Sequence, residues 1–166
     1  ETGVVGKWHL GLGWPWVGDT LPTGVDKLMF LPEETAIDFS QPLTIGAREN
    51  GFAYSFLVPG SLDMGPYVFV ENNQAVAEPV ADSLFPGGRF PAFIRPGQVA
   101  ASFKFDQVLQ HLGDKATAFI ARQAQSEKPF FLYMPLTGPH KPALPNPAFR
   151  GKSGLGPYAD LVMEVD

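Results

Sequence analysis

The β-branched pair Val4-Val5 runs directly into Gly6-Lys7-Trp8-His9-Leu10-Gly11, so two side chains able to carry positive charge stand two residues apart between glycines. Such a pair favours a buried strand. Water reaches a lysine at the end of a buried strand only where the strand opens onto a crevice, and crevices at the carboxyl ends of strands are where open α/β sheets bind ligands. The stretch therefore implies an anion site, with Lys7 and His9 gripping an oxyanion while Gly6 and Gly11 let the backbone bend and approach closely. A plainer arrangement fits the same letters: a solvated turn with Lys7 in water and His9 bonded to backbone. Spacing alone leaves both open.

A second stretch repeats the pattern. Pro129 opens the apolar run Phe130-Phe131-Leu132-Tyr133-Met134, as expected of a strand buried on both faces, and Leu136-Thr137-Gly138-Pro139-His140-Lys141-Pro142 follows at once. If both strands belong to one sheet and end at the same edge, Lys7, His9 and His140 share a crevice. Between them the periodicity predicts a strand at Thr2 to Val5, a half-buried strand around Phe52, Tyr54 and Phe56, and a hairpin. The hairpin, Tyr67 to Glu71 and Gln74 to Val80 about Asn72-Asn73, is expected to stand apart from the parallel core. Val108, Leu109, Leu112, Ala116, Phe119 and Ile120 mark a helix over Asp106 to Gln125, its apolar face covering the sheet, either one rod or a short turn followed by a main helix capped by Asp114. Strand, helix and strand then form a crossover unit. A last helix begins at Tyr158, its apolar stripe being Leu161, Val162 and Val165. The fold class expected is α/β, a mixed sheet flanked by helices with an inserted hairpin and long loops.

Composition narrows the classes. Of 166 residues, 18 are glycine and 17 proline, so long irregular connections separate few regular elements. The segments 82–97 and 11–50 read as loop, with Trp14 and Trp16 suited either to lidding a core edge or to walling a substrate site. A net charge of −5 without a basic run argues against a nucleic-acid partner, and no apolar run approaches the ~20 residues of a membrane span. There is no cysteine, hence no disulfide and no thiolate metal site. Glu1 opens almost inside a strand and the last helix is cut short, so the whole of residues 1–166 is expected to be an internal piece of a longer catalytic domain.

Gly6-Lys7-Trp8-His9-Leu10-Gly11 resembles, residue for residue, the second signature of the type I sulfatases, formylglycine-dependent sulfate-ester hydrolases of the alkaline-phosphatase superfamily. Pro42-Leu43-Thr44 through Tyr54, Ser61-Leu62-Asp63-Met64-Gly65-Pro66-Tyr67-Val68, Pro129 to His140, and Tyr158 to Asp166 are similar to the segments that follow in arylsulfatase-like members. The resemblance implies that Lys7 contacts sulfate oxygens, that His9 hydrogen-bonds and helps regenerate the nucleophile, and that His140 contacts the sulfate and serves the leaving group. It implies a calcium ion and a formylglycine nucleophile for the parent protein, a sulfated small molecule or sulfated carbohydrate as substrate, and a periplasmic or secreted setting.

The chain also departs from the family pattern. The Cys/Ser-x-Pro-x-Arg motif is missing, since Ser40-Gln41-Pro42-Leu43-Thr44 lacks the arginine and lies downstream of the Lys7 signature. The family's paired aspartates and its Asp-Asn pair are missing too, so the ligands of calcium and the nucleophile are expected outside this chain, which alone is expected to be inactive. Alternatives are a phosphate- or phosphonate-ester hydrolase of the same superfamily, and a non-catalytic relative that binds sulfated glycan. Asp63 suits either a substrate-facing or a turn-capping role. His111 reads as a surface or core-edge residue, and Glu164 and Asp166 as a solvated face. Substrate choice is expected in Leu12 to Gln41 and Glu78 to Gly97.

Overall fold

The computed structural model describes residues 1–18, 37–83 and 92–166. Much of the two stretches expected to choose substrate lies outside them. Strand β1, Thr2–Lys7, is an interior strand, bonded in parallel to β2, Tyr54–Val58, on one side and to β7, Phe131–Tyr133, on the other. The short strands β3, Val70–Glu71, and β4, Gln74–Ala75, complete a five-stranded sheet of order β4-β3-β2-β1-β7. Val4 and Val5 are fully buried because β1 has a strand on each side and helix α1, Val108–Gln123, against it. A parallel strand in that position must be apolar on both faces.

The hairpin turns at Asn72 and Asn73 as expected, both at positive φ (50° and 69°), a conformation asparagine tolerates. Its arms are shorter than the sequence suggests, and it does not stand apart: β3 pairs antiparallel with β2, extending the main sheet. Strand β2 itself lies two residues beyond its expected place, and Ser55 to Val58 are all buried because β1 and β3 flank it. Strands β5, Pro79–Ser83, and β6, Gly97–Ala100, form a separate antiparallel pair at the ends of the stretch expected to be loop.

Helix α1 is one continuous rod. Val108, Leu112, Ala116 and Phe119 form its buried stripe, whereas Leu109 is half-buried and Ile120 faces outward; full burial of a Val, Leu or Phe side chain contributes about 2 kcal/mol. Asp114 does not cap a second helix; it accepts a hydrogen bond from Gln110 Nε2 at 2.8 Å. Helix α2, Pro157–Val165, starts with proline in its first turn and buries Leu161, while Val162 is exposed. Strand β7 departs most from expectation. Phe131 and Tyr133 are 58% and 47% exposed, because β7 is the last strand of the sheet and nothing among the described residues covers its outer side. Among the described residues no helix is long and apolar enough to cross a membrane.

Candidate anion site at the sheet edge

Past Lys7 the chain keeps to the sheet. Lys7 N–H donates to the Pro135 carbonyl at 2.7 Å, Trp8 N–H to Val58 at 2.9 Å and His9 N–H to Pro59 at 2.9 Å, so the loop after β1 is stitched to the ends of both β7 and β2. Trp8 is its anchor: buried, its indole N–H bonded to the Gly11 carbonyl at 2.9 Å, its ring edge-on to Phe52. Lys7, half-buried, and His9, exposed, flank it. Gly6 is required where it stands. Its φ is 149°, and a Cβ there would collide with the Pro135 carbonyl. Without a side chain at position 6, the loop that carries His140 can lie directly against Lys7. His9 adopts φ 51°, a left-handed conformation that costs energy for any residue with a Cβ and is held by its surroundings.

The end of β2 supplies a partner. Ser61 Oγ lies 3.2 Å from His9 Nδ1, a hydrogen bond the hydroxyl donates when that nitrogen is unprotonated. The end of β7 supplies His140, exposed, whose Nδ1–H donates to the Lys141 carbonyl at 2.7 Å and so leaves Nε2 as the outward nitrogen. Lys141 Nζ stands 3.4 Å from Asp63 Oδ2 and 5.0 Å from the Phe93 ring centre. His9 lies within electrostatic reach of Lys7, His140 and Asp63. Loss of water against the wall behind it is the main influence holding its pKa below the ordinary 6.5; the charges of Lys7 and His140 push the same way, and Asp63 opposes them.

Lys7, His9 and His140 are therefore brought to one edge of the sheet. Among the described residues, what joins them is backbone stitching and the Asp63–Lys141 pair. A cavity of about 10 Å³ beside His140, lined by Leu62, Thr137 and Gly138 among others, is lined by neither Lys7 nor His9. Sequence reasoning passed over Ser61 and the partnership of Asp63 with Lys141. The signal was available: Gly60-Ser61-Leu62-Asp63 follows the carboxyl end of β2, the third strand to open on this edge. His111 is at the core edge as expected, stacked on Phe69 at 5.3 Å. Glu164 is not on a solvated face, since it accepts the Asn146 N–H at 2.7 Å and burial pushes its pKa up. Trp14 packs in the core against Phe39.

No group of three or more His, Cys, Asp or Glu side chains that could hold a metal ion exists among the described residues, and the chain lacks cysteine. Asp63, the buried carboxylate beside the histidines, is already paired with Lys141. These residues do not fit a calcium ion or a formylglycine.

A mixed sheet whose parallel strands deliver lysine and histidine to one carboxyl edge has the architecture of an alkaline-phosphatase-like α/β fold. No family model matches the chain. It is 32% identical over 197 residues to an N-acetylgalactosamine-6-O-sulfatase of Bacteroides thetaiotaomicron, with 99% of this chain and 34% of that protein covered. It is 42% identical to the N-acetylgalactosamine-6-sulfatase of Sus scrofa (98% and 24% covered) and 30% identical to arylsulfatase A of Bos taurus (99% and 27%). A solved 6S-sulfatase structure from work on glycosaminoglycan metabolism by Bacteroides thetaiotaomicron superposes with a TM-score of 0.70 at 30% identity, covering 99% of this chain and 36% of that one. Nearly the whole of the chain is thus similar to sulfatases, and it spans about a quarter to a third of the length of these curated relatives.

Proposed function

We propose that the whole protein hydrolyses sulfate esters, and that residues 1–166 are an internal part of its catalytic domain, supplying the side of the active site that grips sulfate and handles the proton. The bond to be broken joins a tetrahedral sulfur to an alkoxide or phenoxide oxygen. The sulfate oxygens already carry negative charge and the departing oxygen gathers more, so the reaction needs fixed cations and a proton donor. In this reading the Lys7 ammonium contacts the sulfate oxygens. His140, its Nδ1 committed to the Lys141 carbonyl, directs Nε2 at the leaving oxygen and gives it a proton. His9, held at Nδ1 by Ser61, has its other nitrogen left for the guest, and an arriving anion offsets the cations that depress its pKa. The calcium ion and the formylglycine nucleophile of the family are assigned to residues outside this chain, which alone is inactive.

The observation that carries the reading is that β1 and β7, paired in parallel and joined past their ends by the bond from Lys7 N–H to the Pro135 carbonyl, run into the loops that bear Lys7, His9 and His140. Sulfated carbohydrate is the favoured substrate class, because the Sus scrofa and Bacteroides relatives, 42% and 32% identical, are named for N-acetylgalactosamine 6-sulfate chemistry. The test is release of inorganic sulfate by the full-length protein from N-acetylgalactosamine 6-sulfate and 4-nitrophenyl sulfate, compared with phosphate release from 4-nitrophenyl phosphate. Sulfate esters should be preferred. Faster release of phosphate would make the protein a phosphohydrolase instead, and binding of the sulfated sugar without turnover would make it a non-catalytic receptor.

A further inference from the structure

The turn that follows β2 opens on the same edge of the sheet as the two cation-bearing loops, and its centre is Asp63. Only 2% of this residue is exposed, a placement that is costly for a carboxylate without a partner. Its Oδ2 faces Lys141 Nζ at 3.4 Å, while Oδ1 is buried with no hydrogen-bond partner among the described residues. A turn-capping aspartate would accept backbone N–H groups of its own turn. Here the turn closes through its backbone instead, Met64 N–H to the Ser61 carbonyl at 2.9 Å. Asp63 reaches across to another loop.

That loop is the one that matters. Lys141 follows His140 directly and its carbonyl holds the His140 ring at 2.7 Å, so a restraint on Lys141 is a restraint on the imidazole. Two residues before Asp63, Ser61 holds His9. We propose that Asp63 is a positioning residue of the anion site: its buried carboxylate fastens Lys141, and with it the His140 ring, to the turn whose Ser61 holds His9. Pairing also settles which lysine grips the guest. A bare carboxylate here would repel an anion, but the Asp63–Lys141 pair is neutral, which leaves Lys7 as the gripping cation. The catalytic consequence rests on the sulfate-ester reading; the bracing itself does not.

Removing the carboxylate has a second effect that a merely structural residue would lack. Among the described residues, the charged and titratable groups facing His9 are Lys7 on its own strand, His140 from the loop after β7, and Asp63 from the turn after β2, and of these only Asp63 favours the protonated ring. The experiment uses the full-length protein with Asp63→Asn, Asp63→Glu, Lys141→Gln and the double variant Asp63→Asn/Lys141→Gln. Its readouts are kcat and KM on 4-nitrophenyl sulfate, the thermal midpoint, and NMR titration of the His9 ring. Asp63→Asn and Lys141→Gln should each lower kcat roughly ten- to a hundredfold with KM little changed, as expected when a reacting group is slightly misplaced. The double variant should be no worse than the poorer single one, since both remove one interaction. Asp63→Glu should recover part of kcat, and Asp63→Asn should move the His9 midpoint to lower pH.

A kcat within about twofold of the parent in Asp63→Asn, losses that multiply in the double variant, or an unmoved His9 midpoint would each overturn the proposal. If Asp63→Asn does not fold, Lys141→Gln decides in its place, and full activity there overturns it. If the parent protein hydrolyses no sulfate ester, the sulfate-ester reading falls, and the His9 midpoint alone decides whether Asp63 acts on the site.

Discussion

Asp63 and Asp160 are equally hidden, 2% and 3% exposed, and keep very different company. Asp160 Oδ2 accepts the Gly151 N–H at 2.7 Å, and its Oδ1 accepts Ser153 N–H at 2.9 Å and Ser153 Oγ–H at 2.6 Å. Every donor is local, within nine positions along the chain, and together they hold its pKa below the ordinary 3.8. Among the described residues, Asp63 has one cation, on a loop far along the sequence, and one oxygen without a hydrogen-bond partner. The first carboxylate shapes a turn in front of α2; the second ties loops from two strands together where cations gather. A buried acid saturated by its own neighbourhood belongs to the architecture. One left half-served between distant segments is where a fold carries function at some cost to its polar satisfaction.

The sharpest way to break this contrast is at the site itself. Lys7→Ala should lower sulfate-ester turnover by about a hundred- to a thousandfold, the range for losing one group that stabilises developing negative charge. Its thermal midpoint should stay near that of the parent, because a lysine at a strand mouth adds charge and little packing. The same variant should raise the His9 pKa, since one of the cations that depress it is gone. An unfolded Lys7→Ala protein, or a fully active one, would remove the distinction between site and scaffold. Gly6→Ala comes next, and should do both kinds of harm. Strain at φ 149° and the collision with Pro135 should cost about 2 kcal/mol in chemical denaturation, and displacement of the His140 loop should depress activity as well.

Asp160→Asn should affect stability alone. A carboxylate whose pKa is depressed on folding stabilises at pH values above its ordinary 3.8 and loses that contribution as pH falls through its lowered folded value. Melting curves of parent and variant should therefore differ near neutrality and converge under acid conditions, with activity per folded molecule the same throughout. A difference that persists in acid would show that the Gly151 and Ser153 bonds do not depend on the charge of Asp160.

Several of these features could be read from the letters and others could not, for a physical reason. A β-branched pair followed by Gly-Lys-Trp-His announces the end of a central strand, and Asn72-Asn73 announces its turn, because each is set by local backbone preference. The exposure of Phe131 and Tyr133 could not be read, since an apolar run records what a strand is fit to be covered by and not what covers it. Strand β2 was misplaced by two residues because Phe52, Tyr54 and Phe56 alternate as a half-buried strand would, while its true neighbours bury both faces. Asp63 stood out in the letters, but the partners of Ser61 and Asp63 follow only from β1, β2 and β7 ending side by side: a bond from Ser61 to His9 spans 52 positions, and no local pattern encodes it.

The smallest effect is the most specific to the site's charge. Free His9 favours its neutral form, so its contribution to stability is present above the ordinary 6.5 and is lost as pH falls through its lowered folded pKa. A bound anion reverses the preference, because it stabilises the imidazolium that Lys7 and His140 disfavour. The two are linked, so inorganic sulfate should bind the full-length protein more tightly as pH falls across the His9 titration, and saturating sulfate should raise the His9 midpoint observed by NMR. Ser61→Ala should leave the direction of that change intact while removing the hydroxyl that steadies the ring. If sulfate leaves the His9 midpoint where it was, the anion does not sit among these three side chains, and the edge of the sheet that carries Asp63 is no different in kind from the turn that carries Asp160.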